Sequence, residues 1–394
     1  MLQPSHTLQD LFKLGIVFVP RASLNHGGWM TRQANLLETM AASYLPVRGS
    51  LPMLMHQDSR PPAFLALYEG VLKVETGSLR SYADEREYQA LLNEIVRKNE
   101  RTLVQHRYPE SELPASVCRV PPNLLGRLNN KACLSEWVPT PWLLPRQVLV
   151  LSGTGYEEPQ NWPHVLKAAG SMTSGGGADV RICRSREDWR KALDDFAGAE
   201  ALVLEEYQAP QKLLGALFVV NGAGEVHYLG STENELTPDG YVNGNWIDAE
   251  AGISPEMEAV GRNVVEKAAQ AGYRGVAGVD FLVISGGRSW VIDLNFRCCA
   301  GLPALLISES IRREWKRPVM FSSIFFTMLP AAELFYLLRE GIKERRLLPL
   351  GGYFPASDPP RMVNILFLGN DREEVKLLRR ELERRLQKPR HAWR

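Results

Sequence analysis

Cysteine is scarce in this chain of 394 residues, which holds only Cys118, Cys133, Cys183, Cys298 and Cys299. An odd number without zinc-type CxxC spacing argues against a disulfide framework and against a thiolate metal site, and predicts reduced thiols in a cytoplasmic protein. Long uncharged apolar runs are missing too. The most apolar stretch, residues 318–332, is interrupted by Pro330 and falls short of the roughly 20 residues a membrane helix needs, so it reads as core. Residues 1–14 are polar and mixed, without the apolar centre of a secretion signal. Neither sign of charge is in excess: 46 Lys and Arg stand against 45 Asp and Glu, which leaves no overall field to attract nucleic acid or anionic lipid. The seven histidines, among them His26, His56, His164 and His227, show no metal-ligand spacing. No GxGxxG fingerprint and no Ser-His-Asp constellation is present, which lowers dinucleotide and hydrolase readings.

What is there suits a globular protein of two or three units, with 45% hydrophobic and 23% charged residues. The run 15–20 (GIVFVP) predicts a buried strand and 31–43 a helix, while strand-like runs at 63–68 and 102–106 alternate with a charged helical stretch at 83–99. An open α/β unit ending near Pro121 follows. A helix is predicted over 124–137, closed by Pro139 and Pro141, then strands at 147–151 and 164–166. Ser185 and Asp188 form a capping box for a helix at 186–196, and a strand at 201–204 runs into Glu205 and Glu206. Strands at 214–220 and 225–229 are joined through Asn221 and Gly222, a hairpin turn pair. Ser254 and Pro255 open a helix whose apolar face carries Met257, Val260, Val264, Ala268 and Ala271. A strand at 362–368 and a charged helix at 371–386 close the chain, followed by a basic tail.

The most informative segment is 275–297, GVAGVDFLVISGGRSWVIDLNFR, which reads as two strands joined across Gly286 and Gly287. A tight turn there places Asp280 opposite Asp293. Strand periodicity puts Asp293, Asn295 and Arg297 on one face and Ile292, Leu294 and Phe296 on the other. Opposed carboxylates on paired strands repel, so a cation is expected between or beside them, and hard oxygen ligands suit magnesium. The bland alternative is an exposed hairpin edge with solvated charges.

An acid on one strand and an acid-x-Asn motif with a following Arg on the next resembles the ATP-grasp superfamily, and Asp280 with 293–297 (DLNFR) supplies that arrangement. Two departures are visible: Asp293 stands where the family usually has Glu, and Phe296 where it usually has Pro. The resemblance covers about 124–297 in the family's order. Lys131, in NNKACLSEWVPTPW, looks like the first nucleotide-contacting lysine, and Lys167, ending PHVLK, like the second. The segment 170–177 (GSMTSGGG) looks like the glycine-rich lid over the phosphates, with Ser171, Ser174, Gly175 and Gly176 as contacts and backbone N–H groups free to approach an anion. Glu205, Glu206 and Gln208 resemble the adenine-binding hinge. The family's ribose-binding acid has no counterpart, since Gln211 and Lys212 stand there.

The resemblance implies ATP and Mg2+ as cofactors, with Asp280, Asp293 and Asn295 holding the metal and Lys167 and Arg297 serving catalysis. It implies a ligase that activates a small-molecule carboxylate as an acyl phosphate for attack by an amine, with amino acids or a small peptide as substrates, in specialised metabolism. Phosphoryl transfer to a small molecule without ligation, and a nucleotide-binding module without turnover, stay open as alternatives. The expected fold is α/β, α+β in its catalytic part: a pre-ATP-grasp unit over 1–121, a small lobe over 122–207, a large lobe with the metal site over 208–330, antiparallel sheets in both lobes, and a closing segment over 331–394. Cys298 and Cys299 read as small buried hydrophobes, and Glu233, Asn234 and Glu235 as part of a loop bordering the site.

Overall fold

A computed structural model describes the chain except for residues 13–14, 26–27, 151–157, 172, 238–239, 357–359 and 387–394. Four parallel strands open the fold, in the order Leu79–Tyr82, Met53–His56, Ile16–Val19, Arg101–Val104. Ile16–Val19 is buried along its whole length, as a central parallel strand covered on both faces must be. Residues 63–68, expected as a strand, are instead a helical turn Pro62–Leu65 running into a 3-10 turn Ala66–Tyr68. Pro61 and Pro62 supply the fixed φ that starts a helix, and their signal outweighs the apolar run that follows.

The middle of the chain forms a four-stranded antiparallel sheet, Arg146–Val150, Ala201–Glu206, His164–Ala169 and Val180–Cys183 in spatial order. Its helix Arg186–Asp195 is capped by Ser185 Oγ, which accepts from the Asp188 N–H at 3.2 Å, while Asp188 reaches back to the N–H of Arg184 at 2.8 Å. The single helix expected over 124–137 is broken into Pro122–Leu128, a 3-10 turn Lys131–Cys133 and a short helix Leu134–Trp137. The break lies at Asn129 and Asn130, whose short amide side chains bond neighbouring backbone and compete with helix continuation.

The largest sheet has eight strands, in the order Ser289–Asn295, Gly275–Val283, Lys212–Val220, Val226–Leu236, Val242–Ile247, Val319–Thr327, Arg361–Gly369, Leu347–Tyr353. The strand expected at 225–229 runs on to Leu236, so Glu233, Asn234 and Glu235 are sheet residues and not a loop. The segment after 331 adds Leu347–Tyr353 and Arg361–Gly369 to this same sheet, and the helix Arg372–Leu386 covers one of its faces. Cys298 and Cys299 are free thiols set in the packing, with burial pushing both upward, Cys299 to about 12. No helix among the described residues is long and apolar enough to cross a membrane.

Candidate active site

The hairpin Gly275–Val283 and Ser289–Asn295 turns where Gly286 and Gly287 adopt φ of 92° and 80°, a conformation that costs glycine little. Its register places Asp280 opposite Asp293, as the sequence predicts. The alternation then fails at one place. The pairing steps from Asp280↔Asp293 to Phe281↔Val291, leaving Ile292 as the extra residue of a bulge. Val291, not Ile292, joins Leu294 and Phe296 in the core, and Ile292 packs with Leu144, Leu282 and Trp290. The bulge leaves the Ile292 carbonyl oxygen to accept a hydrogen bond from Lys167 Nζ at 2.9 Å.

Asn295 Nδ2 donates to Asp280 Oδ2 at 2.8 Å, so these residues meet across the hairpin. Burial first and the neighbouring Asp293 second push the Asp280 carboxyl up to about 7, against the pull of Arg297 and Lys131. Gly215 lies in register beside Asp280; a Cβ there would stand 3.1 Å from Asp280 Oδ1 and 3.4 Å from Thr232 Oγ1. A side chain at that position would crowd the carboxylate. Arg297 NH1 donates to Asn129 Oδ1 at 3.4 Å, and the same oxygen accepts from the N–H of Phe296 at 2.9 Å, which fixes the end of the strand.

Two buried lysines face this hairpin, Lys131 from the 3-10 turn Lys131–Cys133 and Lys167 from the middle-sheet strand His164–Ala169. Lys131 Nζ lies 2.7 Å from Asp179 Oδ2 and 3.2 Å from Asp293 Oδ1. Burial would lower its pKa, but the two carboxylates outweigh burial and hold it above the ordinary lysine value. Lys167 Nζ lies 2.6 Å from Glu205 Oε2, and Arg146 NH1 stands 3.6 Å from the other oxygen of that carboxylate. Arg146 NH2 also donates to the Lys131 carbonyl. Lys131 thus brings one positive charge to the paired carboxylates.

Other expected site residues are engaged elsewhere. Glu206 alternates to the exposed side of its strand and accepts from Gln208 Nε2 at 3.0 Å, while Glu205 is buried. Ser171 donates through its N–H and hydroxyl to Glu200 Oε1 at 3.1 and 2.7 Å. The Ser174 side chain, near Asp179, helps to hold that carboxyl below the usual aspartate range. Gly175 begins a turn closed by the Ala178 N–H at 3.3 Å, and Gly176 and Gly177 have φ of 66° and 81°. Met172, inside the expected lid, lies outside the described residues, as does His26. Glu233 and Glu235 point away from the site to the terminal helix, where Arg372 meets Glu233 at 2.7 Å and Arg379 meets Glu235 at 2.5 Å.

Sequence reasoning missed Asp179, Arg146 and Asn129. Asp179 follows the glycine triplet, and a buried acid near two expected lysines is the one cue that could have found it. Among the described residues no group of three His, Cys, Asp or Glu gathers at a metal spacing; the hairpin offers two acids and an amide.

Two family models match the chain. One, for L-aspartate--L-methionine ligase, ATP grasp, spans residues 146–295, and the other, for the N-terminal domain of the same ligase, spans 7–126. Among solved structures, N5-carboxyaminoimidazole synthetase from Staphylococcus aureus complexed with ADP is 12% identical with a TM-score of 0.57, covering 98% of this chain and 100% of that one. An L-amino acid ligase from Bacillus licheniformis is 13% identical with a TM-score of 0.54, covering 94% and 97%. Carboxyaminoimidazole ribonucleotide synthase from Aspergillus clavatus complexed with ATP is 14% identical with a TM-score of 0.55, covering 94% and 98%. At such identities these structures establish the fold.

Proposed function

We propose that this chain, which belongs to the ATP-grasp carboxylate-amine ligases, joins L-aspartate to L-methionine with cleavage of ATP to ADP and phosphate. One observation carries the choice of substrates: separate models for the N-terminal domain and for the ATP-grasp domain of one named ligase both match this chain. Aspartate supplies the carboxylate. Its oxygen attacks the γ-phosphorus of ATP, the bond to the β-phosphate oxygen breaks, and ADP leaves. The methionine amine then attacks the acyl carbon, phosphate leaves with the bonding pair, and the nitrogen loses a proton. The five free thiols suit a reducing, cytoplasmic compartment.

Phosphoryl transfer gains most from positioning and from cationic groups around the phosphates. In our reading Lys131 and Lys167 turn from Asp293 and Glu205 toward the phosphates of ATP, with Ser171, Ser174, Gly175 and Gly176 covering them and Glu205, Glu206 and Gln208 lining the adenine end. Arg297, beside Asn129 at the hairpin's end, is placed to orient the carboxylate under attack. The hairpin also fits magnesium. Two opposed carboxylates, one pushed up to about 7 by burial and by the charge of the other, and an amide whose nitrogen is taken by Asp280 present hard oxygens to a cation. Asp280, Asp293 and Asn295 would hold it, and magnesium there supplies charge neutralisation at the terminal phosphates.

The test is a coupled ADP-release assay over pairs of the common amino acids, with the product identified by mass spectrometry. Aspartate with methionine should release ADP and yield the dipeptide one for one. A different pair turning over roughly tenfold faster, a difference of about 1.4 kcal/mol in barrier, would overturn the substrate assignment.

A further inference from the structure

The glycine-rich segment is not held by its own lobe alone. Gly28–Trp29, from the N-terminal unit, pairs in parallel with Thr173–Ser174, matching Gly28 to Thr173 and Trp29 to Ser174. The N–H of Gly175 donates to the Trp29 carbonyl at 3.4 Å. Neighbouring residues on a strand point to opposite sides, and here the two sides belong to different lobes.

Trp29 packs into the small lobe's hydrophobic cluster with Leu166, Ala168, Trp189 and Phe196, its ring edge-on to Phe196 at 5.7 Å and 87°. Its indole N–H donates at 3.2 Å to the carbonyl of Asp195, the last residue of the helix Arg186–Asp195, where intrahelical donors have run out. Met30 goes the other way, into a cluster of the N-terminal unit with Ala22 and Leu37. Further back the same segment is tied down by Glu112, whose Oε1 accepts from Ser23 Oγ at 3.0 Å and Asn25 Nδ2 at 2.7 Å. One short strand therefore rivets the two units together at the edge of the loop that follows Lys167.

We propose that Gly28–Trp29 is a latch by which the N-terminal unit holds the glycine-rich segment over bound ATP, with Trp29 as the positioning residue. It rests on the ATP-ligase reading above but needs no choice of amino acids. Held by the latch, the segment shields the acyl phosphate so that the amine, not water, attacks it. Without the latch the same intermediate loses its phosphate to water, regenerating the carboxylate and consuming ATP without making an amide bond.

The test compares wild type with Trp29→Ala and Trp29→Phe in the full chain. Hydrogen exchange at amides 173–177 should slow when magnesium ADP binds wild type and stay fast in Trp29→Ala. The KM for ATP should rise roughly tenfold, equivalent to about 1.4 kcal/mol, with the KM values of the amino acids unchanged. ADP formed per amide bond should climb well above one. Trp29→Phe keeps an aromatic ring in the cluster but loses the indole N–H and part of the ring's area, so it should fall between the two and guards against a general folding defect. If both variants protect amides 173–177 as wild type does and keep one ADP per amide bond, the latch is overturned. Exchange with magnesium ADP involves no amino acid, so it judges the latch even if aspartate and methionine prove to be the wrong substrates.

Discussion

The ammonium of Lys131 stands 3.2 Å from the carboxylate of Asp293, on the same carboxylate pair that forms the candidate metal site. A lysine expected to reach ATP and an acid expected to reach magnesium thus neutralise each other when neither ligand is there. Asp179, at 2.7 Å, completes the arrangement and gives the lysine a partner that does not depend on ligands.

Asp179→Asn should expose this pairing through its pH dependence. Burial pushes the Asp179 carboxyl up, but Lys131 outweighs it and the net effect holds it below the usual aspartate range. A depressed carboxylate contributes stability that is present above its unfolded value, about 3.9, and is lost as pH falls through the lower folded value. Breaking a buried pair costs up to about 3–5 kcal/mol, less here because Asp293 still faces the lysine. Urea unfolding should therefore show the variant clearly weaker at pH 7 and converging with wild type in acid below about pH 4. A gap that stays constant down to pH 2 would place the effect in packing, not charge.

Lys167 and Glu205 allow a sharper separation of fold from function. Lys167→Ala leaves Glu205 buried with only Arg146 at 3.6 Å, and should cost about 3 kcal/mol. The double variant Lys167→Met with Glu205→Gln removes both charges and should regain most of that stability. It should not regain ATP affinity, measured by calorimetry. Affinity equal to wild type in the double variant would remove Lys167 from the nucleotide site.

The hairpin was legible in sequence because its signals are local: period-two alternation, two adjacent glycines and acids at fixed spacing. The bulge at Ile292 was not, since one extra residue leaves no mark in composition and shows only once the partner strand is in place. The same holds for contacts across distance. Arg372 and Glu233 are 139 residues apart in sequence, and Lys167 and Ile292 are 125 apart, so neither pairing could be read from spacing. Nor did any motif announce the role of Gly28–Trp29, a strand of two residues whose meaning lies in what it touches.

Gly215→Ala tests how closely the sheet is fitted to Asp280. The added methyl would lie 3.1 Å from Asp280 Oδ1, tighter than ordinary contact, so the carboxylate must shift by a few tenths of an ångström. Overpacking of this size typically costs about 1–3 kcal/mol, and the flexible carboxylate should bring it to the low end. Activity should suffer more than stability, with the magnesium concentration for half-maximal rate rising several-fold. An unchanged magnesium requirement would mean that the Asp280 carboxylate need not be placed so exactingly.

Asp293→Asn sets two opposing effects against each other in the protein without ligands. Losing the charge relieves the repulsion that, after burial, lifts Asp280 to about 7, and it also deprives Lys131 of one carboxylate. Lys131 keeps Asp179 at 2.7 Å, so the melting temperature without ligand should move little. Ligand binding is another matter. A ligand at a hundred times its Kd stabilises the native state by about 2.7 kcal/mol, and most of that increment should vanish in the variant if Asp293 holds the magnesium that accompanies ATP. Four melting curves decide it, wild type and variant, each with and without magnesium ATP. A variant that melts far lower alone, yet keeps the full ATP-dependent rise and normal turnover, would make Asp293 a structural partner of Lys131 and put the metal elsewhere.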